Sequence, residues 1–255
     1  MLDDFTPIIH TLPGRTIRCW AVSDVHIGAM EADIDGFSAF LRKIQADDDS
    51  YLVICGDVIN NGIRDSVTNV YQETMPPSEQ VRLAAELLEP VADRILGCVG
   101  GNHERRTAKA VDLDPMFQVM TLIGKPELYR QNMAFVRVKL KNGEKSTQDN
   151  YSLLLVHGKT ENKKRQLARS VEGIDAIVSA HTHNGLVEKP SRICFTKHNN
   201  VVVKSVVSLT ATSWLEYGGY AAYGLLLPNA TSDPQCLVLE YTNSNGRQGS
   251  IRVSW

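Results

Sequence analysis

Short continuous apolar runs alternate with helix-spaced stretches through the first half of the chain. Residues 17–22, 51–55 and 95–99 have the length and apolar character of buried strands. Between the first two runs Ile34, Phe37, Leu41 and Ile44 recur at helical spacing. Between the second and third, Val81, Ala84, Ala85 and Leu88 do the same, with Ser78 the expected N-cap. Asp114 and Pro115 predict the cap and first turn of a short helix carrying Met116, Met120 and Ile123. Residues 60–77 form a polar connection longer than ordinary, and such loops are commonly functional or mobile.

From Met133 onward strands dominate. Residues 133–140 and 151–156 flank a polar turn at Asn142 and Gly143. A basic helix is expected over 162–169, and a short buried strand over 174–179. Further strands are expected at 192–197, 201–208, 223–227, 235–241 and 251–255. There is no internal repeat and no linker. The pattern predicts a single domain over 1–255 of α/β type, an α+β sandwich of two packed mixed sheets flanked by helices. Its chemistry-bearing core spans about 17–185, and the strand-rich part 186–255 is expected to complete the second sheet.

Composition sets boundaries on function. With 43% hydrophobic and 22% charged residues, the chain reads as an ordinary globular protein. A net charge of -2 excludes strong overall attraction to nucleic acid, though not a local basic groove. Five cysteines without paired spacing do not make a disulfide scaffold, and Cys19, Cys55 and Cys98 lie inside apolar runs. They suit a reducing compartment. No apolar stretch has the length of a membrane span, and the start Met1-Leu2-Asp3-Asp4 lacks the features of a signal peptide. A cytoplasmic location without membrane association is expected.

Five of the seven histidines fall in short clusters that close or directly follow strand-like runs. The clusters are Asp24-Val25-His26, Gly56-Asp57, Gly101-Asn102-His103-Glu104, Val156-His157-Gly158 and Ala180-His181-Thr182-His183. Strand ends that deliver oxygen and nitrogen donors to one edge can build a two-metal site, which clamps the attacking and leaving oxygens of an in-line displacement. Asp57 is the natural shared ligand, because a carboxylate can contact both metals and its cluster holds no other acid. Asp24 and His26 alternate around Val25, so an extended segment would point both to one side, and His181 and His183 do the same around Thr182. The mixed donor set, free of sulfur, suits Mn, Fe, Zn or Ni rather than Ca or Mg. His10 and His198 lie outside the clusters and are expected to be simply solvated.

In order and wording the five clusters resemble the calcineurin-like metallophosphoesterase superfamily. That resemblance implies the family's four-layer architecture and two divalent metal ions as cofactors, with Mn the first choice. It assigns Asp24, His26 and His183 to one metal, Asn102, His157 and His181 to the other, and Asp57 to both. It leaves His103 to protonate the leaving oxygen or steady transition-state charge, with a metal-bound hydroxide as nucleophile. Three departures stand out. Ala180 replaces a glycine, which is tolerable if φ there is negative. Asn60 stands where many members carry an acid that orients the histidine matching His103. His103 should therefore be less basic unless Glu104 or another acid compensates. Finally, Asn60-Asn61-Gly62 replaces the acid-Arg-Gly of the Ser/Thr protein phosphatases and points away from them.

Arg105 and Arg106 follow the Asn102 cluster, and Lys159 opens a basic run with Lys163, Lys164, Arg165 and Arg169. These are the candidate phosphate contacts, with surface pairing and an ordinary solvated helix face as the alternatives. Trp214, Tyr217, Tyr220 and Tyr223 offer stacking surfaces, although packing is favoured for them. The expectation is a metal-dependent hydrolase of phosphoesters. A phosphodiesterase acting on nucleic acid comes first, because Asp24-Val25-His26-Ile27-Gly28 resembles the opening motif of the family's repair nucleases. A phosphomonoesterase acting on nucleotides or small phosphates is the alternative, and an inactive scaffold is disfavoured because every ligand position is filled. The C-terminal strands could also serve a dimer contact.

Overall fold

The computed structural model describes residues 3–64, 66, 70–141, 148–158, 160–195, 199–216, 233–242 and 250–255. In chain order the first half comprises β1 (Ile8–Pro13), β2 (Thr16–Val22), α1 (Ile34–Ala46), β3 (Ser50–Cys55), α2 (Pro77–Leu88), β4 (Ile95–Val99), α3 (Glu104–Val111), α4 (Pro115–Leu122) and β5 (Tyr129–Arg130). Then follow β6 (Met133–Lys141), β7 (Gln148–Val156), α5 (Glu161–Ser170), β8 (Ala176–Ser179), β9 (Val187–Glu188), β10 (Ser191–Phe195), β11 (Val201–Ser205), β12 (Val207–Thr210), β13 (Cys236–Glu240) and β14 (Ser250–Ser254).

Two six-stranded mixed sheets carry the fold, in the orders β14-β13-β2-β3-β4-β5 and β1-β6-β7-β8-β12-β9. β2, β3 and β4 run parallel in the first sheet, and β7 and β8 run parallel in the second. β3 and β4 are buried on both faces, which is why they read as unbroken apolar runs. The sheets face each other through β3, β4, β6 and β7. One continuous core joins Leu52, Ile54 and Val99 of the first sheet to Val136, Leu153 and Leu155 of the second. On the outside, α1 buries Phe37, Phe40, Leu41 and Ile44, and α2 buries Val81, Ala84, Ala85 and Leu88. Ala168 of α5 packs with Leu154 and Ile177 on the second sheet. The result is a sandwich of two mixed sheets flanked by helices.

Several local expectations change. Pro76, extended at ψ 155°, caps α2 without a side-chain bond, and Pro77 starts the helix, so Ser78 lies inside it. Asp114 caps α4 as expected, accepting from Met116 N and Phe117 N. The helix α3 was not anticipated, because Glu104 is its one buried residue and no apolar stripe marks it. β1 was likewise missed. It pairs parallel with β6, and His10 on it is half-buried with its Nε2 2.8 Å from the Leu96 carbonyl rather than simply solvated. The strand expected at 201–208 breaks at Val206, whose N–H turns to Pro190 O.

The part beyond residue 186 does not go to the second sheet alone. β9 and β12 extend that sheet, β10 and β11 form a separate ribbon, and β13 and β14 extend the first sheet. β13 goes there because β2, which buries alternate residues on one face, needs a partner on the edge away from β3; Leu237 and Leu239, fully buried, pair with Cys19 and Ile17. His198 and the strand expected at 223–227 lie outside the described residues.

Candidate metal centre

All five clusters lie just beyond the C-terminal ends of parallel strands, which brings donors from both sheets to one edge. Asp24 and His26 follow β2, Asp57 follows β3, and Asn102 and His103 follow β4; His157 follows β7, and His181 and His183 follow β8. The loops that carry these donors are not extended as the alternation suggested. Asp24, His26, Asp57, His181 and His183 all have left-handed backbones, with φ of 51°, 52°, 52°, 84° and 57°. Side-chain-bearing residues rarely adopt this region, at about 1–3 kcal/mol each, so the surroundings must over-determine it. They do: Asp24 N donates to Gly56 O, His26 N to Asp57 O and Ile27 N to Val58 O, which laces the loop after β2 to the loop after β3. Gly56, at φ 82°, leaves no room for a side chain, since a Cβ would stand 2.4 Å from Gly101 N. Ala180 is not among the residues of positive φ, so alanine is accommodated there.

The donor atoms form overlapping groups. Among the described residues Asp24, His26 and His183 make one, Asp57, His157 and His181 another, and His26, Asp57 and His103 a third that joins them, each within 4.8 Å. His183 Nε2 lies 2.9 Å from Asp24 Oδ1, and His157 Nε2 lies 3.2 Å from Asp57 Oδ2. Asn102 Oδ1 is 2.9 Å from His157 Nε2, which brings the amide into the second group. Asp24 and Asp57 are buried to 0% and 1% exposure. Burial opposes the charge of Asp24, yet His183 and His26 hold its carboxyl well below the usual range. Asp57 is likewise held down against burial, by His157 first. Burial pulls His157 down, but the Asp57 carboxylate outweighs it and pushes it up to about 9. Such concentrated negative charge attracts a proton or a metal cation alike. The decisive fit is His26 Nε2, fully buried among these donors and without a hydrogen-bond partner. A buried nitrogen of that kind is costly unless a cation takes its lone pair.

The family model of the calcineurin-like phosphoesterases matches residues 17–185. The chain belongs to this family. It is therefore a metal-dependent phosphoesterase, a hydrolase whose substrates are phosphoesters. It is also similar to the crystal structure of the calcineurin-like phosphoesterase YfkN from Bacillus subtilis, at 12% identity and a TM-score of 0.46, over 94% of this chain and 90% of that one. Among curated proteins none matches.

Around the candidate donors the phosphoesterase shows how its departures are resolved. His157 Nδ1 lies 2.7 Å from Cys55 O and donates to it, which keeps Nε2 for the centre. Asp24 Oδ2 accepts from Ser23 Oγ and from His181 N, leaving Oδ1 toward the histidines. His103 has no carboxylate on Nδ1, which faces the Asn60 carbonyl at 2.7 Å. Its Nε2 accepts from Arg106 Nη2 at 3.0 Å. Burial first, then His26 and Arg106, push His103 down to about 3 against the pull of Asp57. Glu104 does not compensate. Its two oxygens accept from the backbone N–H groups of Asp57, Val58, Ile59 and Gly101, at 2.8 to 3.2 Å, and so clamp the Asp57 loop.

The candidate phosphate contacts separate. Arg106 stays at the centre, also donating to Asn60 O at 3.0 Å. Arg105 turns away to the carbonyls of Gln131 and Gly100. Within the basic run Lys164 is buried and bonded to Glu161 and Thr182, and Arg165 pairs with Glu188, so neither is a free phosphate contact. Lys159 lies outside the described residues. Trp214 packs against Phe37 and Phe40, while Tyr217, Tyr220 and Tyr223 lie outside the described residues. Glu73 and Gln80 were not singled out for the site from sequence. Only the acid beside His103 in the Asn102 cluster carried a readable signal, and it marks Glu104. Among the described residues no helix is long and apolar enough to cross a membrane.

Proposed function

We propose that the chain is a two-metal phosphodiesterase that acts on nucleic acid, with manganese as its working metal. The observation that carries the two-metal reading is the overlap of donor groups at Asp57, which shares one group with His26 and another with His157 and His181. Asp24, His26 and His183 would hold one cation, Asn102, His157 and His181 the other, and Asp57 both. When bound, such a pair supplies Lewis acidity and an acidified water for in-line displacement. The protein's own residues position and neutralise. Asp24 is oriented by Ser23 and the His181 N–H, and Asp57 Oδ1 by the His103 N–H at 2.8 Å. His103, neutral with its Nδ1 proton on Asn60 O, aims the Arg106 guanidinium, and that pair would meet charge on the phosphoryl or leaving oxygen.

A second reading, a phosphomonoesterase for nucleotides or other small phosphates, is favoured by the internal pairing of Lys164 and Arg165, which removes charge that a nucleic-acid backbone would use. Turnover of bis-p-nitrophenyl phosphate against p-nitrophenyl phosphate with added Mn²⁺, followed by a single-stranded DNA digest, separates the two. Faster hydrolysis of the diester and cleavage of the DNA are expected. Preference for the monoester with intact DNA would overturn the nuclease reading, and no turnover of either ester with metal bound would favour a scaffold. The free cysteines among the described residues, four of them buried, fit a reducing compartment such as the cytoplasm.

A further inference from the structure

His26 begins a line of hydrogen bonds leading out of the centre into the long segment after β3. Its Nδ1 lies 3.2 Å from Asn60 Oδ1. Asn60 Nδ2 donates to Glu73 Oε1 at 2.6 Å, and Glu73 Oε2 accepts from Gln80 Nε2 at 2.7 Å. Gln80, fully buried on α2, is itself anchored: its Nε2 donates to Met75 O and its Oε1 accepts from Asn61 N. Gly62 makes space for the carboxylate, since a Cβ there would stand 2.1 Å from Glu73 Oε1.

The polarity of this line is forced from its carboxylate end. A carboxylate only accepts, so Asn60 presents its NH₂ to Glu73 and therefore its oxygen to His26. An oxygen at that place requires the proton on His26 Nδ1. The lone pair then sits on Nε2, the buried atom without a hydrogen bond that faces Asp24 and Asp57. The other tautomer would put a proton where the cation belongs. We infer that Glu73 is a positioning residue of the metal centre, acting through Asn60 to select the tautomer and orientation in which His26 binds metal. The inference rests on reading the centre as a metal site. It gives Asn60 and Glu73, on the segment after β3, a function in metal binding, and it accounts for an amide at position 60, because the carboxylate is supplied one residue further out in space.

A swap of the two groups tests it. Glu73→Gln alone sets an amide against two NH₂ donors, those of Asn60 and Gln80, so Asn60 can satisfy the contact only by flipping and turning its NH₂ toward His26. Asn60→Asp alone sets two carboxylates at contact distance. The double variant Asn60→Asp/Glu73→Gln restores the match: the new aspartate accepts from His26, and the new glutamine donates to it while accepting from Gln80. Mn²⁺ binding to the full chain is titrated, the histidine tautomers of the metal-free protein are read by long-range ¹H–¹⁵N correlation, and turnover of bis-p-nitrophenyl phosphate is followed. Each single variant should weaken one of the two Mn²⁺ ions by about 10- to 100-fold, and Glu73→Gln should remove the Nδ1-protonated signal of His26. The double variant should recover most of both losses. Should Glu73→Gln fail to fold, the double variant still decides the matter. Single variants that bind like wild type, or a double variant as weak as the worse single, would overturn the inference while leaving the metal centre intact. A wild-type chain that binds no Mn²⁺ would instead overturn the reading of the centre, and this inference with it.

Discussion

At the scale of single residues, the chemistry depends on which atom of each side chain is left free. His157 spends Nδ1 on a carbonyl, Asp24 spends Oδ2 on Ser23 and a backbone N–H, and His26 keeps an Nε2 without a hydrogen bond. Residue types at strand ends made the candidate donor set legible in the sequence, because imidazole, carboxylate and amide donors are properties of the side chain itself. The left-handed backbones at Asp24 and His26 were not legible, since nothing about aspartate or histidine demands positive φ. Nor were the hydrogen-bond partners of the His103 ring, Arg106 and the Asn60 carbonyl. If these two side chains act as one unit, their effects should not add. We expect His103→Asn and Arg106→Ala each to lower kcat/KM for the diester by about 100-fold, with the double variant little worse than either single. Steady-state kinetics on the three proteins checks this, and multiplied losses would show that the residues act separately.

Elements transmit structure to the site through buried polar contacts. The loop bearing His181 and His183 is tied to α5 by Lys164, which bonds both Glu161 and Thr182, the residue between the two histidines. The basic run around it read equally well as a phosphate surface, because burial cannot be inferred from a lysine in a charged helix. Replacing Lys164 by Met should cost about 3 kcal/mol, the low end for breaking a buried pair because Glu161 stays partly exposed. Urea titration with and without Mn²⁺ measures it, and Mn²⁺ affinity should fall as well. On β1, burial holds His10 below its ordinary value. The unfolded chain titrates there at about 6.5, so between the two values it binds more protons than the folded chain. His10 therefore lowers stability as pH falls through that window and leaves it unaffected above. His10→Gln, which keeps a donor for Leu96 O, should remove this contribution. The stability of wild type relative to the variant should be greater at pH 8 than at pH 5, and an equal difference at both would contradict the assignment.

For the whole molecule, the centre is a joint between the sheets: Asp24, His26, Asp57 and Asn102 come from one, and His157, His181 and His183 from the other. Metal should therefore hold the halves of the sandwich together at one edge. Chelation with EDTA should abolish turnover and lower the Tm, and Mn²⁺ at 100 times its Kd should restore about 2.7 kcal/mol per site. Calorimetry across a Mn²⁺ series tests this, and a Tm independent of metal would show that the joint carries no load. By itself the sequence determined the donor clusters that carry the family resemblance and the buried strands β3 and β4, because donor chemistry and apolar runs are local properties of the chain. Tertiary structure alone decided that β13 and β14 join the first sheet, that Glu104 clamps the Asp57 loop and that Glu73 reaches His26 through Asn60. Those outcomes depend on which unsatisfied edge, N–H or carboxylate meets which partner when distant segments close around a common core, and no single segment carries that information.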